Sequence, residues 1–366
     1  MSTFPPQFQV LSDLHLETPI LQPLYQTFRL CVEGSHVFML GDIGLVLDDA
    51  LFSFLRDLLT RTRGSRFFYI LGNHEPYRTT LPDAVARLRA FEKEARYQYG
   101  GRFIFLNRDR FDVDANTTIL GCTLWSDVLP QQATEVNALL TDFNESNGIR
   151  DWTLESHVEA HRKDRDWLNS QVRTLEETEP QRQIIIATHH SPTLDPRAVD
   201  PAHQSSSVSS AFATDMSKDV CWKSTAVRLW VFGHTHYNCG FRDEATGKLV
   251  VANQRGYGHA EIQELLIESD TNGFDIITST KDNTTNASHR ITQQVSKPAN
   301  PATATRLHRS ILHRATDRIL RIRRLCTRMT ERPSETVLNA KMWHTEGDED
   351  DAANPTTTRG SQSQTS

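Results

Sequence analysis

Phe67-Phe68-Tyr69-Ile70-Leu71 runs directly into Gly72-Asn73-His74-Glu75, and this join decides how the chain is read. The first five residues suit a short strand, and they are apolar on both faces, as a strand buried between two layers must be. The polar tetrapeptide that follows would therefore gather its side chains at the strand's carboxyl end. The same join recurs four times. Residues 8–11 run into Ser12-Asp13-Leu14-His15, residues 37–40 into Gly41-Asp42, residues 184–188 into His189-His190, and residues 229–232 into Gly233-His234-Thr235-His236.

Helical patterns lie between these strands. In residues 48–63 the apolar positions Leu51, Phe54, Leu55, Leu58 and Leu59 follow helical spacing, and residues 81–97 and 153–177 behave alike. Pro82 fits a first helical turn. Further strands are expected over 117–125, 247–253 and 274–277. Strand and helix in alternation define an α/β domain, and it is expected to span residues 1–279.

The composition changes beyond that point. Residues 280–305 are rich in Thr, Ser, Asn and Pro without hydrophobic period, which predicts a disordered linker. Residues 306–331 place Leu307, Ile311, Ala315, Ile319, Ile322, Cys326 and Met329 at spacings of three and four among many arginines. That pattern predicts a basic amphipathic helix, suited to an anionic membrane surface or a protein partner. Residues 332–366 read as a polar, acidic, disordered tail around Asp348 to Asp351. An apolar content of 37% over 366 residues agrees with a chain that is only partly packed.

The donor types in the motifs argue for a metal site. Asp, His and Asn offer oxygen and nitrogen, the set that takes Mn, Fe or Zn, and cysteine is absent from every motif. Asp13 and His15, two apart on an extended segment, would project to one side and share an ion. His234 and His236 would do the same. Asp42, beside Gly41, has two oxygens suited to bridging two cations, with Asn73 and His189 completing the second set. Two ions roughly 3.5–4 Å apart hold a hydroxide between them and stabilise phosphoryl oxygens, so hydrolysis of a phosphoester is the expected chemistry. His74 would be displaced from Asn73 toward the substrate and protonate the leaving oxygen. Glu75 beside it would orient the ring or raise its pKa.

The motifs D-x-H, G-D, G-N-H-D/E, a later His and G-H-x-H occur here in order, and the chain thereby resembles the calcineurin-like metallophosphoesterase superfamily. The resemblance implies a four-layer αββα sandwich with a dinuclear site at the strand ends. It implies Asp13, His15, Asp42 and His236 for one ion, Asp42, Asn73, His189 and His234 for the other, and His74 as the catalytic histidine. Ser12 to Glu17, Thr188-His189-His190-Ser191-Pro192 and Asn253-Gln254-Arg255-Gly256-Tyr257 are similar to an uncharacterised branch marked by T-H-H-A/S-P and N-P-R-G-Y. Gln254 stands where that branch has proline. Arg255 is the candidate there for contact with substrate phosphate.

Other features admit plainer accounts. His157 and His161, four apart on the third helix, are expected to line its packed or solvated surface, and His190 to support its neighbour, serve structure or take a functional role. Cys31, Cys122, Cys221, Cys239 and Cys326 form no C-x-x-C pair, which argues against disulfides and cysteine-bound zinc. The N-terminal residues lack a basic start and an apolar run, so the expected compartment is the cytoplasm, with the nucleus second. A net charge of −6 argues against stable binding of nucleic acid. A metal-binding scaffold without catalysis is the alternative function, and retention of His74 with every ligand argues against it. Substrate choice is assigned to residues 124–149 and 195–217.

Overall fold

In the computed structural model, which describes residues 6–257, 262–270 and 273–278, alternate side chains along each central strand enter different cores. On β2 (His36–Met39), Phe38 faces one core and Val37 and Met39 another; on β3 (Arg66–Ile70), Phe68 and Ile70 part from Phe67 and Tyr69 in the same way. A strand apolar at every position is thus satisfied on both faces.

Two sheets of six strands result. The first joins β1 (Gln7–Leu11), β2, β3 and β4 (Phe103–Leu106) in parallel, then adds β11 (Leu265–Asp270) and β12 (Gly273–Thr278) antiparallel beyond β1. The second joins β6 (Thr117–Cys122), β7 (Gln183–Thr188), β8 (Val227–Phe232) and β10 (Leu249–Ala252) in parallel. Antiparallel β5 (Asp109–Asp112) and β9 (Cys239–Arg242) close its two edges.

Between the sheets Phe8, Val10, Phe38 and Phe68 meet Ile185, Leu229, Val231 and Val251. Outside the first sheet lie α1 (Asp49–Arg61) and α2 (Leu81–Gln98); the short α3 (Ala133–Leu139) lies in the connection from β6, and outside the second sheet lie α4 (Leu154–Thr178) and the short α5 (Val220–Lys223). This is the expected four-layer αββα sandwich. Thr80 caps α2 by accepting from Asp83 N at 3.2 Å, with Pro82 in the first turn, and Thr153 caps α4 through Ser156 N at 3.2 Å.

The expected elements shift in places. The strand expected across 117–125 stops at Cys122, because Leu124 and Trp125 turn to φ of 70° and 45°. The strand expected over 247–253 narrows to β10. The strands β4, β5, β9 and β11 were not anticipated; β5 and β9 are short, half-exposed sheet edges, whereas β4 is an apolar, buried edge followed by no ligand motif. The boundary at 279, the linker, the basic helix, the acidic tail and Cys326 lie outside the described residues. Among the described residues no helix is long and apolar enough to cross a membrane.

Candidate metal centre

Five of the seven expected metal ligands adopt a backbone that L residues rarely use. Asp13, His15, Asp42, His234 and His236 have φ of 54°, 45°, 54°, 71° and 51°. Each such residue costs roughly 1–2 kcal/mol, so the surroundings must hold it. This corrects the argument from an extended segment: Asp13 and His15 reach the site through left-handed turns, with buried Leu14 between them anchoring in the core. Asp13 N donates to Gly41 O at 3.0 Å, His15 N to Asp42 O at 2.9 Å and Leu16 N to Ile43 O at 3.0 Å, lacing the first two loops together. His234 N donates to Asp13 Oδ2 at 2.9 Å, which ties in the second sheet. Gly72 is required by the crowding, since a Cβ there would lie 2.2 Å from Asp42 Oδ1.

The side chains converge in two sets around Asp42. Asp13, His15 and His236 form one, with His15 Nε2 3.0 Å from His236 Nε2, His236 Nε2 3.2 Å from Asp13 Oδ1, and Asp42 Oδ2 3.8 Å from His15 Nε2. Asp42, His189 and His234 form the other, with Asp42 Oδ1 3.5 Å from His189 Nε2 and Asn73 Oδ1 3.0 Å from that same nitrogen. Asp42 therefore offers one oxygen to each set.

These residues fit metal ions. His234 Nε2 is buried without a hydrogen-bond partner, although such atoms normally find one, and Asp13 Oδ1 is buried with His236 Nε2 3.2 Å away. With a cation present, the ring nitrogens that face inward would each offer it a lone pair. His15 Nδ1 donates to Glu17 Oε1 at 3.0 Å and His189 Nδ1 to Leu40 O at 2.7 Å, which turns each Nε2 lone pair toward the centre. Burial opposes charge on Asp13, but hydrogen bonding and charge from His236 hold its carboxyl at about 2. Burial likewise disfavours a proton on His189, yet the charge of Asp42 lifts its pKa to about 9. The carboxylates demand positive charge here, and cations would supply it.

His74 lies at the opening beside both sets. Its Nδ1 is 3.2 Å from Glu17 Oε1 and its Nε2 is 3.9 Å from Asp42 Oδ2. Burial works against the charged ring, and the Asp42 charge and the Glu17 hydrogen bond outweigh it, raising the pKa to about 9. The carboxylate that orients His74 is thus Glu17, not Glu75. Glu75 turns inward instead, accepting from Asp42 N, Ile43 N, Gly72 N and the Tyr69 hydroxyl. Successive side chains along the tight loop diverge, so adjacency in sequence does not place Glu75 against the His74 ring.

Arg255, the candidate for contact with substrate phosphate, is engaged with the protein itself. Its Nη1 donates to Leu14 O at 2.6 Å and its guanidinium covers the Phe28 ring at 5.5 Å, bracing the first loop. His190 is buried beside His234, with ring centroids 4.0 Å apart, and His157 and His161 are buried against residues 124–126. Sequence reasoning gave no role to Glu17, Asp142, Tyr77 or Tyr257. Asp142 accepts from Asn73 Nδ2 at 2.8 Å and from Tyr77 at 2.6 Å, which fixes the amide so that its oxygen faces His189. Glu17 and Tyr257 stood inside quoted motifs, whereas Asp142 lay in a loop without signal.

A two-sheet sandwich with two carboxylate and imidazole sets at its strand ends defines the class of dinuclear metal hydrolases. A family model described as calcineurin-like phosphoesterase matches residues 7–238, and the chain belongs to this family of hydrolases. No curated protein matches. Among solved structures, the phosphopantetheinyl hydrolase PptH from Mycobacterium tuberculosis is 17% identical, with a TM-score of 0.48, covering 70% of this chain and 91% of its own. A second is 10% identical with a TM-score of 0.43, covering 75% and 99%.

Proposed function

We propose that this chain hydrolyses a phosphomonoester or phosphodiester, with His74 as the general acid. Asp13, His15, Asp42 and His236 would hold one cation and Asp42, Asn73, His189 and His234 the other. Bound there, two ions of Mn, Fe or Zn supply Lewis acidity and a water made nucleophilic near neutral pH. The observation that carries this reading is Asp42, whose two oxygens face separate histidine sets.

The chain's own residues divide the remaining work. Glu17 holds the Nδ1 hydrogens of both His15 and His74, so one carboxylate fixes a ligand and the acid together. His74 Nε2 is then the nitrogen left to deliver a proton to the departing oxygen. Glu75 and Asp142 hold the loops and the Asn73 amide in place without facing the substrate.

The test uses full-length protein with bis-(p-nitrophenyl) phosphate, p-nitrophenyl phosphate and phenyl phosphate, with Mn²⁺ and with chelator. Turnover is expected with Mn²⁺ and lost with chelator, and His74→Ala should slow phenyl phosphate by roughly 10²-fold. No turnover of any ester by protein carrying two metal ions would overturn the reading. Unchanged turnover of phenyl phosphate in His74→Ala would remove the acid.

A further inference from the structure

Tyr257 stands at the rim of the site, on the loop that follows β10, and no step above uses it. Its hydroxyl lies 3.0 Å from His74 Nε2. Its ring stacks on His15, with centroids 4.2 Å apart and planes 27° from parallel, yet 58% of the residue is exposed. The loop behind it is seated by Gly256 N, which donates to Asp13 O at 3.0 Å. The phenol is therefore held in place on one face and open on the other.

The two nitrogens of His74 have different partners. Glu17 can only accept, so Nδ1 carries a hydrogen toward it, and Nε2 meets the Tyr257 hydroxyl. An ester oxygen that approaches Nε2 from the side where the Tyr257 hydroxyl lies comes within hydrogen-bond reach of both. Two O–H and N–H donors then converge on one atom.

We propose that the leaving group departs between His74 Nε2 and the Tyr257 hydroxyl, which makes Tyr257 a determinant of the leaving groups the enzyme accepts. This rests on His74 being the acid. The oxygen of water bonds to phosphorus and gives up one of its protons to solvent, the ester P–O bond breaks with its electron pair passing to the leaving oxygen, the Nε2 proton moves to that oxygen, and solvent returns a proton to Nε2. Tyr257 keeps its proton and donates a hydrogen bond to the same oxygen as charge develops on it. A group that departs as a stable anion needs neither donor, whereas an alcohol needs both.

The experiment measures kcat and KM of the Mn²⁺-loaded full chain on p-nitrophenyl, phenyl and benzyl phosphates, as monoesters or methyl diesters according to which is turned over. Wild type, Tyr257→Phe and His74→Asn are compared, with metal content and unfolding midpoint as controls. Tyr257→Phe keeps the stacked ring and is expected to lower kcat/KM about tenfold on the benzyl ester and less than about twofold on the p-nitrophenyl ester. His74→Asn should show the same dependence on leaving group, only steeper. An equal loss on all three esters in Tyr257→Phe, or none, beside a steep His74→Asn would overturn the proposal and leave the acid standing. A flat His74→Asn would remove the acid, and the proposal with it.

Discussion

Four donors converge on the two oxygens of Glu75. Tyr69 and Ile43 N reach Oε1 at 2.7 and 2.9 Å, and Asp42 N and Gly72 N reach Oε2 at 2.9 and 2.8 Å. An amide cannot replace this carboxylate, because its NH2 would face two donors. Burial and the charge of Asp42 push its pKa up to about 7, so the ionised form is tested above that pH. Glu75→Gln is expected to destabilise the metal-free protein by about 2–4 kcal/mol, read from its urea midpoint, the cost of leaving buried donors unpaired. A midpoint equal to wild type would show that the loops hold themselves. The residues of Gly-Asn-His-Glu were legible as a site, but not the direction each side chain takes. Asp13, His15 and Asp42 occupy left-handed positions where glycine is the usual marker, so nothing local announces the turn.

At the scale of elements, the amphipathic pattern of α4 was visible, while the use of its polar positions was not. Asp164 accepts from Leu124 N at 2.8 Å and from Arg108 at 2.6 Å, and His161 Nδ1 donates to Leu124 O at 2.8 Å. These bonds hold Leu124 and Trp125 in their left-handed turn, and Thr123 O in turn accepts from His189 N and His190 N. The β-prone residues 117–125 leave the strand early because tertiary contacts outweigh local preference. Asp164→Ala should cost about 2–4 kcal/mol and speed amide exchange in residues 122–126 more than in α1. Uniform exchange across the domain would count against a local brace. The segments 124–149 and 195–217, to which substrate choice is assigned, are joined: Ser210 N donates to Gln132 Oε1 at 2.8 Å and Leu129 N to Ser210 Oγ at 3.0 Å. Pairing between distant loops leaves no trace in either one's composition.

For the whole molecule, the sandwich was legible because five apolar strands each ended in a ligand motif; β5 and β9 were missed because half-exposed strands lack that contrast, and β4 because no ligand motif follows its apolar run. Its response to pH follows from the same site. A histidine whose pKa is raised by folding contributes stability in full below its unfolded value and loses it as pH rises through the folded one. In metal-free protein His74 and His189 rise from 6.5 to about 9, so stability is expected to fall across that window. On the acid side Asp13 and Glu17 are lowered from 3.8 and 4.5 to about 2, and their stabilisation, present above those unfolded values, is lost as pH falls through about 2. His36 and His157, lowered from 6.5 to about 4 and about 3, weaken the fold as pH drops below 6.5. Cations bound among the carboxylates would take the place of the proton on the ligand His189, and binding would release protons to solvent, while His74, the acid, keeps its own. Chelator-treated protein should therefore lose roughly 5 °C or more in Tm between pH 6.5 and 9, while Mn²⁺-loaded protein loses less over the same range. Parallel curves for the two forms in a calorimeter would mean that His189 does not carry the charge these carboxylates demand.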